Sequence, residues 1–290
     1  MLVKQFILFL LLVNAISLSA QKWHSHDFTS SYHHNLSYEL SKSKKNLNKM
    51  VLLLQDFEDS LSLKQLSLCK QLHKYHYQIL IVAKPGENLF QQQAFDSKQN
   101  RVNDILDVLE HLKNKWSTEL VIIGFGEGAY LVPELATQSQ ATVSFAINGG
   151  PYSPLQEYIN MSKTDTLSTH YQYLFRQKAC HNPTEFKQLL TTLKNEPHGQ
   201  ILTPAYNRYW LSYFNDPLYT DVGNHIAVPI HFIQSENYWL KSDESDAFFR
   251  NYLKIFPELH QSTMRGNGSF NEKAEQQLLL LEIVPYLNKR

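Results

Sequence analysis

The sequence contains little cysteine, glycine and proline, and no excess of charge of either sign. Its 290 residues include two cysteines, ten glycines and eleven prolines, and 27 basic residues balance 27 acidic ones. Because 43% of the residues are hydrophobic, a disordered chain is excluded. A length of 290 residues is enough for one large α/β domain or two small ones. No run of five or more like charges occurs, which argues against nucleic acid or an acidic surface as a partner. The two cysteines, Cys69 and Cys180, could pair in an oxidising compartment or remain as buried thiols.

Long apolar runs are absent after the first twenty residues. Residues 1–20 combine Lys4, an apolar core from Phe6 to Val13 and small polar residues that end at Ala20. This is the layout of a secretory signal peptide, and its core is too short to span a membrane. We therefore predict cleavage after Ala20, no membrane span in the mature chain, and a periplasmic or secreted protein.

Residues 21–49 form a polar segment, which predicts either a leader or a pair of edge strands. Four histidines in it could hold a metal: His24, His26, His33 and His34. No acidic or cysteine partners stand at regular spacing around them, so a solvated leader is the simpler interpretation. The sequence thus predicts neither a metal site nor a cofactor.

From residue 50 to residue 290, short apolar runs alternate with helix-like patterns. The predicted strands fall in residues 50–54, 77–86, 119–126, 141–151, 228–235 and 260–266, and the predicted helices in 61–75, 101–116, 127–138, 246–256 and 271–289. This alternation predicts a single α/β domain with a mostly parallel sheet and helices on both faces. The stretch from 152 to about 226 has no good strand and indicates a helical insertion over the carboxyl edge of the sheet, where such folds bind ligands.

The third predicted strand runs into a glycine-dense turn, in the stretch LVIIGFGEGAYLVPELA over residues 120–136. Gly124, Gly126 and Gly128 alternate where the strand pattern gives way to a helical one. The order of elements and this turn resemble the α/β-hydrolase fold, whose strand-to-helix elbow reads G-x-S-x-G and presents a nucleophilic serine. The stretch is similar to that of an exported, esterase-like branch whose elbow reads G-H-S-E-G, a pattern that Glu127 also fits. In this comparison the serine position is occupied by Gly126.

The resemblance also places the other triad positions and the oxyanion region. The acid is expected after the fifth strand, where Tyr238 stands, and the histidine in the loop before the last helix, where Ser269 stands. The oxyanion loop reads Gln55-Asp56, without the usual glycine, so its backbone N–H groups are not expected to approach a substrate closely. Glu127, which completes the oxyanion region, begins the predicted helix, where a carboxylate is favourable beside the positive helix end. We expect its side chain to cap or pack that helix and to point away from the pocket.

All three triad positions therefore lack the required side chain, and no residue is assigned a catalytic role. Acyl transfer needs a nucleophile, a base that takes its proton and a group that orients the base. The sequence thus favours an exported, catalytically inactive protein whose pocket binds a small ligand or a protein partner. The alternative is an active carboxylic-ester or acyl hydrolase with displaced catalytic residues, supported by the usual activity of the family.

Aromatic residues of the insertion could line such a pocket or pack the insertion on the sheet. They are Tyr171, Tyr173, Phe175, Tyr206, Tyr209, Trp210, Tyr213 and Phe214. Packing is the commoner role for any single one of them, because large aromatic side chains bury much apolar surface.

Overall fold

The computed structural model describes residues 22–42, 48–55, 63–83, 97–116, 118–149, 183–199, 207–215, 228–236, 259–266, 270 and 272–287. Its strands are β1 (Trp23–Thr29), β2 (Asn35–Ser41), β3 (Lys49–Leu54), β4 (Tyr77–Val82), β5 (Glu119–Phe125), β6 (Val143–Ile147), β7 (Ile230–Ser235) and β8 (Leu259–Met264). Its helices are α1 (Ser67–Lys74), α2 (Lys98–His111), α3 (Val132–Ser139), α4 (Pro183–Asn195), α5 (Asn207–Asn215) and α6 (Lys273–Leu287). Short 3-10 turns cover Leu63–Gln65, Lys113–Lys115 and Gly126–Leu131.

The described strands form one sheet in the order β1-β2-β4-β3-β5-β6-β7-β8. The six strands from β4 to β8 in this order pair in parallel, whereas the β1–β2 hairpin joins β4 antiparallel. The apolar run over residues 50–54 is buried throughout, as expected for a parallel strand covered on both faces. The predicted mostly parallel sheet is therefore confirmed.

Helices cover both faces of this sheet. Alternate residues of a strand point to opposite faces, so neighbouring side chains enter different cores. Leu52 and Ile122 belong to a cluster shared with α2, α3 and α5, and Val51 and Val121 belong to a second cluster shared with α1 and α6. Within the described ranges, none of the helices is long and apolar enough to cross a bilayer.

The helix predicted over residues 127–138 begins later than expected. Gly126–Leu131 is a 3-10 turn, and α3 starts only at Val132 with Pro133 in its first turn. Proline is favoured there because its fixed φ suits the start of a helix and its missing N–H is not needed. Glu127 consequently lies in a tight turn that precedes α3.

The polar segment after residue 21 contains the β1–β2 hairpin, of which β1 is the edge strand of the sheet. The His26 ring stacks on Tyr38, and His34 Nδ1 lies 2.9 Å from a carboxylate oxygen of Asp104 in α2. Burial raises the pKa of Asp104, and hydrogen bonds from Ser30 and His34 act in the opposite direction. His34 thus ties the hairpin to α2. Among the residues that the structure describes, no group of three or more side chains could hold a metal ion.

The described parts of the predicted insertion are helical. Helices α4 and α5 lie in the chain between the neighbouring strands β6 and β7. The α5 helix packs against α2, where the backbone N–H of Lys98 donates to Ser212 Oγ at 2.8 Å. The rest of 152–226, and the helix predicted over 246–256, lie outside the described residues.

Cys69 is a free, buried thiol on α1. Its Sγ donates to the carbonyl oxygen of Leu63 at 3.0 Å. Burial raises the pKa of this thiol to about 12, so the reactive thiolate is scarce at neutral pH. Cys180 lies outside the described residues.

Candidate functional site

The turn that follows β5 has the geometry of a tight strand-to-helix elbow. Gly126 has a φ of 52°, in the left-handed region that side chains disfavour. A Cβ on Gly124 would lie 2.4 Å from the carbonyl oxygen of Gly128, and a Cβ on Gly128 would lie 2.8 Å from Leu54 Cβ. Both flanking glycines are therefore required by close packing of backbone on backbone.

Two neighbouring strand ends meet the elbow. The Gly128 backbone lies against the end of β3, at Leu54 and Gln55. On the other side, a Cβ on Gly149, just after β6, would lie 2.3 Å from Ala129 Cβ. The carboxyl ends of β3, β5 and β6 thus form one continuous edge, centred on Gly126.

The two later loops that should carry the acid and the histidine leave from the same edge. The backbone N–H of Ser235, at the end of β7, donates to Asn148 Oδ1 at 2.9 Å, and that of Glu236 donates to the carbonyl of Met264, at the end of β8, at 2.8 Å. Phe270, which follows β8, packs edge-on against Phe125 with ring centroids 5.5 Å apart.

These contacts bring the neighbours of the predicted triad positions to the elbow. Gly126 itself is described, at the centre of the edge, and it has no side chain to act as a nucleophile. Tyr238 and Ser269 lie outside the described residues, as does Asp56. Their assignment to the acid, histidine and oxyanion positions stays a prediction.

Gln55 is the described residue of the predicted oxyanion loop. Its carbonyl oxygen would lie 2.9 Å from a Cβ on Gly128, so the backbone of this loop packs tightly on the elbow. Its side-chain Oε1 is buried and has no hydrogen-bond partner among the residues that the structure describes. A buried amide oxygen without a donor is unfavourable, which makes this atom a candidate acceptor for a ligand at the elbow.

Glu127, directly after Gly126, is the centre of a buried polar cluster. Its carboxylate oxygens lie 2.6 and 2.8 Å from Arg101 Nη1, and the Tyr209 hydroxyl donates to Glu127 Oε1 at 3.1 Å. Arg101 also contacts the Tyr209 hydroxyl at 3.1 Å. Of the two roles expected for Glu127, capping or packing, the structure shows a packed one, because the turn directs its carboxylate to a cation on α2.

Burial and mutual attraction fix the protonation of this cluster. Burial disfavours the charge on Arg101, but attraction to Glu127 and Tyr209, together with the hydrogen bonds to both, outweighs it, so the pKa of Arg101 lies above its ordinary value. Burial, and then the charge of Glu127, raise the pKa of Tyr209, so its hydroxyl keeps its proton. Glu127 is consequently held as the acceptor of an ion pair and a hydrogen bond, and its carboxylate is not available to attack a substrate.

Sequence reasoning identified Glu127 but not its partners. A signal for Arg101 was present, since this residue falls four positions before Ile105 and next to Val102, on the buried face of α2. A charge within an apolar stripe indicates a buried partner. Tyr209 and Trp210 were expected to pack or to line the pocket, and both are buried in the core. The other insertion aromatics lie outside the described residues, or have side chains that the structure does not describe.

The two histidines near the predicted acid and histidine loops lie elsewhere. His231 and His260 are the second residues of β7 and β8, at the amino ends of the strands. Their rings stack with centroids 4.5 Å apart, and the Tyr286 ring lies 3.9 Å from that of His231. His231 is thus buried in the core, away from the elbow.

A cavity of about 610 Å³ opens at the opposite edge of the sheet. It lies between the carboxyl ends of α2 and α3, and its carboxylates already have partners. Asp107 accepts from Ser31, Glu110 pairs with Lys113, and Glu119 pairs with Lys49. This cavity does not reach the elbow and is not part of the candidate site.

Comparison with solved structures reveals extensive likeness of the backbone. An esterase of Pyrococcus furiosus matches with a TM-score of 0.62 at 14% identity, over 93% of this chain and 92% of its own. A highly thermostable carboxyl esterase of Bacillus coagulans matches with a TM-score of 0.62 at 12% identity, over 93% and 99%. An enol-lactonase of Burkholderia xenovorans matches with a TM-score of 0.59 at 10% identity, over 91% and 100%. No family model and no curated protein matches the chain by sequence.

Proposed function

Since this chain has the α/β-hydrolase fold, we propose that it is a non-catalytic member of that fold, which is exported and binds a small ligand or a protein partner at the elbow. The observation that carries the proposal is Gly126. The backbone of the elbow is tightly packed at Gly124 and Gly128, yet the residue at its centre has no side chain. A site with this geometry can position a ligand but cannot form an acyl intermediate through a nucleophile at that point.

The expected loss of activity is large. In a well-studied serine protease, removal of the serine or the histidine lowers turnover by about 10⁶, and the remaining enhancement over water is about 10³ to 10⁴. The proposal assigns Tyr238 and Ser269 to the acid and histidine positions. A chain without all three groups should retain at most that residual rate enhancement.

The ligand would contact the edge around Gly126 and Gln55. The unpaired Oε1 of Gln55 supports a ligand that carries a hydrogen-bond donor. Tyr209 and Trp210 are committed to packing, so further contacts would come from other parts of the insertion. Export is supported by the layout of residues 1–20, and mass determination of the mature protein in a periplasmic or secreted fraction would test cleavage after Ala20.

The protein should remain unlabelled by a serine-reactive fluorophosphonate probe. It should also hydrolyse a chromogenic short-chain ester at no more than that residual rate, because no activated serine is expected at the elbow. The Bacillus coagulans carboxyl esterase serves as the positive control for both measurements. Labelling above a heat-inactivated control, mapped by mass spectrometry to one serine, would favour an active hydrolase with displaced residues.

The assigned triad positions can be tested by restoring the missing groups. The variant Gly126→Ser, Tyr238→Asp and Ser269→His should acquire fluorophosphonate labelling at residue 126 and measurable esterase activity. The matched control carries Gly126→Ala with the same two other substitutions, and it should stay inactive. A restored variant that folds and remains unlabelled would show that the acid and histidine positions, or the oxyanion loop at Gln55, are wrongly assigned.

A further inference from the structure

The outer edge of β1 presents unpaired backbone groups. β1 is the last strand of the sheet, and among the described residues only β2 pairs with it. Two backbone hydrogen bonds of this hairpin run from Lys42 N to the Lys22 carbonyl and from Ser30 N to the His34 carbonyl. They show which residues of β1 direct their N–H and C=O groups toward β2. Successive residues of a strand direct their backbone groups to alternate sides, so even-numbered residues of β1 bond to β2. Odd-numbered residues direct their N–H and C=O groups outward. The outward set is Trp23, Ser25, Asp27 and Thr29.

This edge carries few of the devices that normally block strand addition. Edge strands are usually protected by lysine, proline, bulges or a short length. β1 has seven residues, WHSHDFT, with no lysine and no proline, and its register with β2 continues without a bulge. Both faces of the strand are held in place, because Trp23 packs against one core cluster and Phe28 against the other. The edge is therefore ordered, long and open.

We propose that two copies of this chain pair through the outer edges of β1, in antiparallel orientation, to form a continuous sheet. A two-fold axis at His26 places all seven residues of one strand opposite those of the other. Residue 25 then faces residue 27 of the second copy, and residue 23 faces residue 29. These are all outward-directed residues, so each such pair can exchange two backbone hydrogen bonds.

The side chains are compatible with this register on both faces. On one face, His24 lies opposite Phe28 of the second copy and His26 lies opposite its counterpart. On the other face, Ser25 lies opposite Asp27 and Trp23 opposite Thr29. Aromatic pairs and an aromatic residue beside a β-branched one are favourable across strands, and Asp27 meets a hydroxyl instead of a second carboxylate. This self-complementarity favours a second copy over an unrelated extended peptide.

The interface is small, so the dimer should dissociate on dilution. Stable complexes usually bury about 1,200 to 2,000 Å² in total, and pairing of seven-residue strands alone falls short of that range. Sedimentation velocity over a wide range of protein concentration should show a reversible monomer–dimer equilibrium. A chain that sediments as a monomer at every concentration would overturn the proposal.

Removal of one outward N–H group tests the edge directly. Ser25→Pro deletes a donor that the hairpin does not use, and proline is tolerated where the N–H of an edge strand faces solvent. Each dimer then loses two hydrogen bonds, and its dissociation constant should rise about tenfold or more. The matched control Ser25→Ala keeps the N–H group and should dimerise as the unaltered protein does. Equal dissociation constants for the two variants would contradict pairing through this edge.

A disulfide test examines the register. In the proposed dimer the two His26 residues form a non-hydrogen-bonded pair with Cα atoms about 4.5 Å apart, which lies within disulfide range. The His26→Cys variant, in a Cys180→Ser background, should form a covalent dimer on mild oxidation. Ser25→Cys in the same background should not, because its counterpart lies diagonally at about 8 Å. Equal crosslinking of both variants, or none of His26→Cys, would reject this two-fold arrangement.

Discussion

Replacement of Arg101 by methionine should lower the free energy of unfolding by about 3–5 kcal/mol. Arg101 is 3% exposed, and its partner Glu127 is 7% exposed, so the substitution leaves a carboxylate buried without its cation. The Tyr209 hydroxyl remains as a donor, but a neutral hydrogen bond does not replace an ion pair with two short contacts. Urea unfolding followed by circular dichroism measures the change.

An exposed ion pair provides the matched control for Arg101. Lys113→Met removes the partner of Glu110 in a pair whose side chains are 62% and 69% exposed, and its cost should stay below about 1 kcal/mol. A second control replaces the whole cluster with apolar side chains, as Arg101→Met, Glu127→Leu and Tyr209→Phe together. This variant should recover most of the lost stability, because no charge is left buried. Equal costs for Arg101→Met and Lys113→Met would show that the buried pair is not the source of the effect.

Replacement of Gly124 by alanine should destabilise the protein by about 3 kcal/mol or more. The new Cβ would lie 2.4 Å from the Gly128 carbonyl oxygen and 2.7 Å from Val132 Cγ2. The first of these atoms belongs to the backbone of the turn, so the clash cannot be relieved by rotation of a side chain. The strand end and the turn must separate, which also disturbs the contacts with β3. Urea unfolding again measures the cost.

Gly126→Ala separates this steric effect from backbone strain. Gly126 has a positive φ, and a left-handed conformation costs a residue with a side chain about 1–2 kcal/mol. We therefore expect Gly126→Ala to be clearly milder than Gly124→Ala. If Gly126→Ala were the more harmful of the two, the close approach of Gly124 to Gly128 would not be the dominant constraint at the elbow.

Much of the architecture was predictable because local patterns and tertiary packing agree. The apolar run over 50–54 is continuous since both faces of β3 are covered. The close glycine spacing at residues 124–128 indicated a backbone approach that the structure confirms. The predicted start of α3 was too early because Glu127 and Gly128 are compatible with a helical pattern. The actual 3-10 turn is set by Gly126 and by contacts with β3 and β6.

The partners of Glu127 could not be predicted from local sequence. Arg101 is 26 positions away and Tyr209 is 82 positions away. Their meeting depends on how α2 and α5 pack beside the elbow. The periodicity of α2 indicates that Arg101 is buried, but it does not say that Glu127 is the partner. The pairing of His34 with Asp104 could not be predicted from the histidines of residues 24–34 either, since it depends on how the hairpin docks on α2.

The tight fit of Gly124 and Gly128 bears on how chains of this kind are classified. Both glycines satisfy requirements of chain folding that persist whether or not a hydroxyl occupies the residue between them. A search pattern that scores the outer glycines therefore detects the shape of the turn and gives no information on the reactivity of the residue between them. The residue between the two glycines, and not the turn itself, determines whether a nucleophile stands at this point of the chain.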